Sequence, residues 1–378
     1  MRIAINTLAT KRQLYGVGHY IKNLISSLSN IDDANEYFLF VSSENRCHFK
    51  DLKSNFRLVQ APSDRAMRLI WEQSVLPWTL KQKRVDVFHG PTFIAPLVKT
   101  CPQIVTIHDM TFHLTPKRHE LHKRIYFGKM IPTMIQRSDL VIAISQSTKN
   151  DLLRFVKTRE DKICVIHHGV EPRFQPVRDE EQLAKVRQKY DLPREFILFV
   201  GLIEPRKNLK ALVDAYVSDS LPREFDLVLA GNLGWNYSGL RDKIAQSGAQ
   251  NQIRMPGYIA DADLPALYSM AATFVYPSLY EGFGLPVLEA MACGAPVITS
   301  SVSAMPEVAG DAAILVDPNC VRALADAMQS ALKDCRLRHS LSKRGRERAQ
   351  LFTWEQTARK TLEAYSKVGI ESGQNENA

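Results

Sequence analysis

Tyr276-Pro-Ser-Leu-Tyr-Glu281-Gly-Phe-Gly-Leu-Pro286-Val-Leu-Glu289-Ala-Met-Ala-Cys-Gly294 puts the end of an apolar strand, a glycine loop and a helix into one short stretch. Thr273-Phe-Val-Tyr276 reads as the strand end, and Gly282 and Gly284 bend the loop. Pro286 suits a first helical turn and Gly294 its stop. Glycines let the backbone approach a ligand closely, and a helix start favours an anion. A strand that feeds a helix in this way is the repeating unit of a parallel sheet covered by helices.

The alternation continues on both sides. Towards the N-terminus the apolar runs Arg2–Asn6, Tyr37–Val41, Arg57–Gln60, Val85–Phe88, Gln103–Ile107, Leu140–Ile144 and Ile163–Ile166 predict one series of strands. Gly169 and Pro172 break it, a polar segment follows, and Phe196–Val200, Asp226–Ala230, Gln252–Met255, Thr273–Tyr276, Pro296–Thr299 and Ala313–Val316 predict a second. Val321–Lys333 and Thr353–Lys367 read as helices, the latter capped by Thr353, and Glu371–Ala378 as a disordered end. At 378 residues the chain exceeds one ordinary core. The expected fold class is therefore α/β, with two Rossmann-like doubly wound domains facing an interdomain cleft. The expected boundaries are 1–177, a linker at 178–194, 195–352, and a helix at 353–370 packing back towards the first domain.

Composition narrows the function classes. Apolar residues make up 45% and charged residues 24%, the mix of a globular protein rather than a disordered one. The chain enters a strand at once and has no run long enough to span a bilayer, so a cytoplasmic location is expected. Cys47, Cys101, Cys164, Cys293, Cys320 and Cys335 are scattered without metal-ligand or disulfide spacing. Residues 1–190 carry 30 Lys and Arg against 18 Asp and Glu, a balance of +12, whereas 191–378 carry 19 against 22, or −3. Lys117-Arg118-His119 and His122-Lys123-Arg124, near Phe112, Tyr126 and Phe127, suit an anionic membrane surface or an acidic acceptor. An ordinary solvated helix face fits them equally well. No nucleic-acid partner is expected.

Four constellations carry candidate chemistry. Glu281 and Glu289 flank the anion site, and since carboxylates repel phosphate their targets are hydroxyl groups; one ligand with a diphosphate and sugars satisfies both. The plainer reading leaves Glu281 on the surface and Glu289 as a helix-dipole partner. Phe199-Val-Gly201-Leu-Ile-Glu-Pro-Arg206-Lys207-Asn208 repeats the strand-to-helix passage, and Arg206 and Lys207 can neutralise a departing nucleoside diphosphate. Tyr15-Gly16-Val17-Gly18 lacks the third glycine of a dinucleotide fingerprint and reads as a close-approach loop. His108-Asp109 follow the strand Val105–Ile107: His108 can bond a sugar, and Asp109 can take a hydroxyl proton, orient His108 or simply cap a turn. His89 and His167-His168 offer no zinc spacing. There is no Walker loop, no nucleophile elbow and no Asp-x-Asp suited to hold a divalent metal, so neither metal nor cofactor is expected.

Glu281 to Glu289 resembles the E-x7-E signature of retaining glycosyltransferases with the GT-B fold, in the large family four. Val200-Gly201 through Lys207-Asn208, Gly16–Gly18, Pro306-Glu307-Val308 and Val316-Asp317-Pro318 also look like that family, so the likeness spans nearly the whole chain. The resemblance implies that Glu281 contacts donor-sugar hydroxyls and Glu289 the ribose, with Phe283, Gly284 and Leu285 offering backbone donors. By the same likeness Arg206 and Lys207, with Gly201, bind the diphosphate, His108 lies beside the sugar, Gly16 and Gly18 near phosphate and acceptor, and Tyr258 and Ile259 at the base. Many members carry Arg directly after the glycine where this chain has Leu202, with Arg206 four residues on. Glu204-Pro-Arg-Lys-Asn208, Trp71-Glu72-Gln73 and Phe88-His89-Gly90-Pro91 look most like the mannosyltransferase branch of bacterial surface-polysaccharide assembly. This implies GDP-mannose as the nucleotide sugar and a lipid-linked or oligosaccharide acceptor. An epimerase or glycosyl phosphorylase on the same fold, and a non-catalytic sugar-nucleotide-binding subunit, are the alternatives. The subunit would be marked by loss of Glu281, Glu289 or Lys207, and all three are present.

Overall fold

The structure is a computed structural model that describes residues 1–14, 16–111, 121–218, 221–222, 224–234 and 238–375, with the side chains of 121–127 and 371–375 left aside. It divides into two compact units, Met1–Gly169 with Thr353–Ala378, and Val170–Phe352.

Unit 1 is a parallel sheet in the order β3-β2-β1-β4-β5-β6-β7. Its strands are β1 (Arg2–Asn6), β2 (Glu36–Val41), β3 (Phe56–Gln60), β4 (Val87–Gly90), β5 (Gln103–Ile107), β6 (Leu140–Ala143) and β7 (Ile163–Val165). The central strands are buried along their whole length, as a sheet covered on both faces requires. Helices α1 (Gly16–Ile31), α2 (Arg65–Gln82), α3 (Leu121–Arg137) and α4 (Gln146–Phe155) connect them. Asp64 caps α2 by accepting from Met67 N, and Ser145 caps α4 by accepting from Thr148 N.

Unit 2 is a second parallel sheet, in the order β10-β9-β8-β11-β12-β13. It comprises β8 (Phe196–Val200), β9 (Asp226–Ala230), β10 (Ile253–Gly257), β11 (Thr273–Tyr276), β12 (Val297–Ser300) and β13 (Ile314–Val316). Its helices are α5 (Glu180–Lys189), α6 (Leu209–Tyr216), α7 (Ser238–Gln246), α8 (Leu264–Met270), α9 (Leu285–Ala292), α10 (Met305–Ala309), α11 (Val321–Lys333) and α12 (Cys335–Ala349). In both sheets the order turns back beside the first strand, β1 or β8, and such reversals put ligands beyond the carboxyl ends of the strands.

Three expectations change. Residues 178–194, read as a linker, carry α5, capped by Asp179, and Tyr190 donates its hydroxyl proton to Asp263 of unit 2 at 2.7 Å. Residues 335–349 form a helix that the sequence reading does not pick out. The last helix, α13 (Trp354–Asn375), continues past Glu371, where order was expected to end; residues 376–378 lie outside the described residues. Within unit 1, Gly169 lies so close to Trp354 N that a Cβ would stand 2.1 Å away, which only glycine permits.

Candidate functional site

In unit 2 the carboxyl ends of β8 and β11 converge on Glu281. After β8 the chain makes a single turn at Pro205–Lys207, and its Arg206 carbonyl accepts from Leu279 N at 2.9 Å, tying this turn to the loop after β11. Lys207 Nζ then donates to Glu281 Oε1 at 2.6 Å and to the Tyr276 hydroxyl at 2.5 Å, while Arg206 donates to Glu281 Oε2 at 2.7 Å. Ser278 and Tyr276 add hydroxyl donors to Oε1 at 2.8 and 3.2 Å. Glu281 and Lys207 are buried, yet the carboxyl group titrates at about 2. Burial raises its pKa, but Lys207 and Arg206 outweigh that effect. Burial lowers the Lys207 pKa, only partly offset by Glu281. Arg206 also grips Glu204 Oε1 through two nitrogens, at 3.0 and 2.8 Å. The structure thus joins Glu281, Arg206 and Lys207 in one ion cluster, leaving neither cation as a free charge.

The loop that follows is built for close approach. Gly284 sits at φ +111°, and a Cβ there would meet Met305 Cε at 2.3 Å, so the start of α9 depends on glycine. Phe283 is buried edge-on against Phe352, fixing the loop beneath, and Leu285 opens α9. Glu289, one turn further along, accepts from the Tyr268 hydroxyl at 3.0 Å, a partner different from those of Glu281. Gly201 ends β8, its N–H bonded to Ala230 O. Tyr258 is exposed after β10, its hydroxyl on Asp261 at 3.1 Å, and Ile259 is buried beneath it.

Unit 1 holds the second group. His108 Nε2 lies 2.8 Å from Pro91 O; a carbonyl can only accept, so Nε2 carries the proton and Nδ1 presents a lone pair. Burial lowers the His108 pKa and keeps the ring neutral. Asp109 Oδ1 accepts from Thr111 N at 3.0 Å and Thr111 Oγ1 at 2.6 Å. It therefore caps a turn, and the group orienting His108 is the Pro91 carbonyl. Gly16 and Gly18 stand in the first turn of α1, and a Cβ on Gly16 would meet nothing within 4 Å. Tyr15, Phe112 and the run Lys117 to His119 lie outside the described residues, as do the side chains of His122 to Phe127.

Trp71-Glu72-Gln73 explains how the unit 1 loops are held. Trp71 packs on Phe40 with centroids 5.4 Å apart. Buried Glu72 accepts from Asn6 Nδ2 at 2.9 Å; Asn6 Oδ1 in turn holds Leu8 N at 3.1 Å, and Arg68 donates to Leu8 O at 2.7 Å. Gln73 donates to Ala95 O at 3.2 Å and accepts from Leu97 N at 2.9 Å, clamping the segment that starts at Pro91. One helix turn therefore fixes both the loop leading to Gly16 and the loop that orients His108. Sequence reasoning named the motif but missed this function, because Asn6 and Ala95 are distant along the chain. Behind His108, buried His89 joins Tyr365 (2.7 Å) and Thr106 (2.8 Å), and Tyr20 stacks on His168, which stacks on Trp354. These are core histidines.

Comparison with known proteins identifies the family and the fold. The family model described as Glycosyltransferase Family 4 matches residues 15–174, and that described as Glycosyl transferases group 1 matches 181–348. The O-antigen chain mannosyltransferase B of Escherichia coli is 33% identical over 97% of this chain and 99% of its own length. The serotype-specific mannosyltransferase WbdA of the same species is 31% identical over 73% of this chain but 34% of its own length. Among solved structures, the sucrose-phosphate synthase of Thermosynechococcus elongatus superposes with a TM-score of 0.77 at 22% identity, covering 98% of this chain and 99% of its own. The Anabaena protein Alr3699/HepE, solved with UDP and glucose, gives 0.76 at 18%, covering 97% and 99%.

Proposed function

The chain belongs to glycosyltransferase family 4, and from that premise we propose that it moves a mannosyl unit from GDP-mannose to a lipid-linked or oligosaccharide acceptor in surface-polysaccharide assembly, retaining the anomeric configuration. The likeness to O-antigen chain mannosyltransferase B along nearly all of both chains supports the sugar and the setting. A cytoplasmic site of action, where nucleotide sugars are made, belongs to the same reading.

The observation that carries the proposal is the buried, ionised Glu281 held by Lys207 and Arg206. In transfer, the bond between the anomeric carbon and the phosphate oxygen breaks, GDP leaves with the electron pair, and the acceptor oxygen bonds to the same face. Negative charge grows on the diphosphate and positive charge on the sugar. Arg206 and Lys207 would stabilise the first, together with the start of α9. Glu281 would accept from sugar hydroxyls and balance the second. Its Oε1 already takes Lys207, Tyr276 and Ser278, a load that argues against Glu281 as the covalent nucleophile and for a front-face ion-pair route. Glu289 would hold the ribose, Tyr258 and Ile259 the base, and neutral His108 a sugar hydroxyl through Nδ1.

The test is a donor panel of GDP-, UDP- and ADP-sugars with a mannosylated oligosaccharide acceptor, products being resolved by mass and by the anomeric coupling in NMR. Transfer from GDP-mannose with the donor's own configuration is expected. Inverted product, phosphate-dependent cleavage or a free epimerised sugar nucleotide would refute the reading.

A further inference from the structure

Helix α13 carries two aromatic side chains that begin chains of contact ending at His108. Trp354 and Tyr365 lie about three turns apart on it, which puts them on one face, with buried Ala358 and Thr361 between. The first chain is a stack. The Trp354 ring lies on His168 with centroids 5.6 Å apart and planes 27° from parallel, and His168 lies on Tyr20 at 4.8 Å and 24°. His108 closes it: its ring meets Tyr20 edge-on at 4.9 Å and 78°, and tilts against His168 at 5.7 Å. The second chain is made of hydrogen bonds. The Tyr365 hydroxyl lies 2.7 Å from His89 Nδ1, His89 Nε2 lies 2.8 Å from Thr106 Oγ1, and Thr106 Oγ1 lies 3.1 Å from the Tyr20 hydroxyl. One helix therefore holds Tyr20 twice, at its ring face through Trp354 and at its hydroxyl through Tyr365.

Every member of both chains is buried, whereas His108 itself is half-buried. The Pro91 carbonyl fixes where Nε2 points, but a bond at that atom alone leaves the ring plane open to rotation about it. Aromatic pairs favour the stacked and edge-on arrangements seen here, so Tyr20 and His168 fix the plane and with it the direction of the Nδ1 lone pair. Backbone contacts hold His168 to α13 as well: Thr357 Oγ1 donates to His167 O at 2.7 Å, and Gly169 lies against Trp354 N. Among the described residues the buried Trp354 Nε1 has no hydrogen-bond partner. An unpaired buried donor costs stability, so mere filling would be served better by leucine or phenylalanine; what the indole supplies is the face on which His168 rests.

We propose that α13 positions His108: Trp354, through His168 and Tyr20, and Tyr365, through His89, Thr106 and Tyr20, aim the His108 ring at the donor sugar. Neither touches substrate, and both are positioning residues. The inference deepens the proposed transfer and rests on the reading that His108 bonds a sugar hydroxyl.

The test is steady-state transfer from GDP-mannose to a mannosylated oligosaccharide, with Trp354→Leu, Trp354→Phe and Tyr365→Phe made alone and together with His108→Ala. Trp354→Leu should cut kcat about tenfold and Tyr365→Phe about threefold, because small misplacements of a contacting group are costly, while Trp354→Phe, which keeps a ring on His168, should keep most of it. GDP binding in calorimetry, which needs no contact from His108, should stay as in wild type. In the His108→Ala background none of the three should lower kcat further, since the ring they hold is gone. Circular dichroism at the assay temperature checks the fold, and Tyr365→Phe, which leaves every ring in place, carries the test should Trp354→Leu unfold. A folded Trp354→Leu or Tyr365→Phe with wild-type kcat, or losses that simply add to that of His108→Ala, would overturn the proposal. Wild-type turnover by His108→Ala alone would instead refute the sugar contact given to His108, and the proposal would go with it.

Discussion

Replacing Lys207 by Met removes the nearest cation from a buried carboxylate, and the structure sets the size of the effect. The Glu281 pKa falls from 4.5 to about 2 against the pull of burial. A depression of that size corresponds to about 3 kcal/mol of stability, fully present above the unfolded-state pKa and lost as pH falls towards 2. Lys207 and Arg206 share the credit, and stripping one partner also leaves a buried charge uncompensated, so Lys207→Met should cost about 2–4 kcal/mol at neutral pH. In a unit of this size that lowers the melting temperature by roughly 5–10 °C. Glu281→Gln should cost a similar amount, because Lys207 would then be the stranded charge. The double variant should cost clearly less than the sum, by about 2 kcal/mol. Thermal and urea unfolding of the four proteins, followed by circular dichroism, closes the cycle. In Lys207→Met the acid-induced loss should also be smaller and end at higher pH, because the folded-state pKa of Glu281 moves up towards its unfolded-state value. Costs that simply add, or a Glu281→Gln variant as stable as wild type at neutral pH, would show that the pair is not coupled.

The remaining predictions touch other parts of the chain. His89 titrates at about 3, burial being the main cause and the neighbouring His108 the second. Its contribution is complete above about pH 6.5 and shrinks as pH falls below that, so unit 1 should lose roughly 2 kcal/mol by pH 5. His89→Gln, followed by hydrogen exchange of the unit 1 sheet, should flatten that slope. Gly284→Ala forces a side chain onto Met305 at positive φ, and should weaken GDP binding in calorimetry at least tenfold while Met305→Ala restores part of it. Gln73→Ala releases the loop that begins at Pro91 and so loosens His108. Steady-state kinetics should show kcat falling about tenfold with little change in melting temperature.

The strands were readable because a parallel sheet covered on both faces turns each strand into a short apolar run, and Arg2–Asn6, Gln103–Ile107 and Phe196–Val200 form where those runs stand. Residues 335–349 escaped for the opposite reason. Their helix buries little beyond Leu341, Gly345 and Ala349, and its many arginines blur any period. The segment 178–194 misled in the same way, since α5 buries Val186 and leaves the rest of its polar surface to solvent. At the site, Glu281 and the glycine loop were visible as local pattern. The pairing of Glu281 with Lys207 was not, because it spans 74 residues and arises only when β8 and β11 lie side by side.

That pairing changes what the two cations can do. Arg206 and Lys207 bring two positive charges, and Glu204 and Glu281 two negative ones, so the cluster is neutral before any ligand arrives. If, as proposed, a diphosphate enters at the start of α9, it would therefore not meet a preformed excess of positive charge. It would compete with Glu281 and Glu204 for donors they already hold, and gain most when its own charge is greatest. Charge on the diphosphate is greatest after the sugar bond has broken, so on the proposed reading the arrangement would stabilise the departing group more than the intact donor, which is the condition for accelerating the step rather than tightening the substrate. On that reading the buried carboxylate beside Lys207 would favour departure of the leaving group without being altered itself.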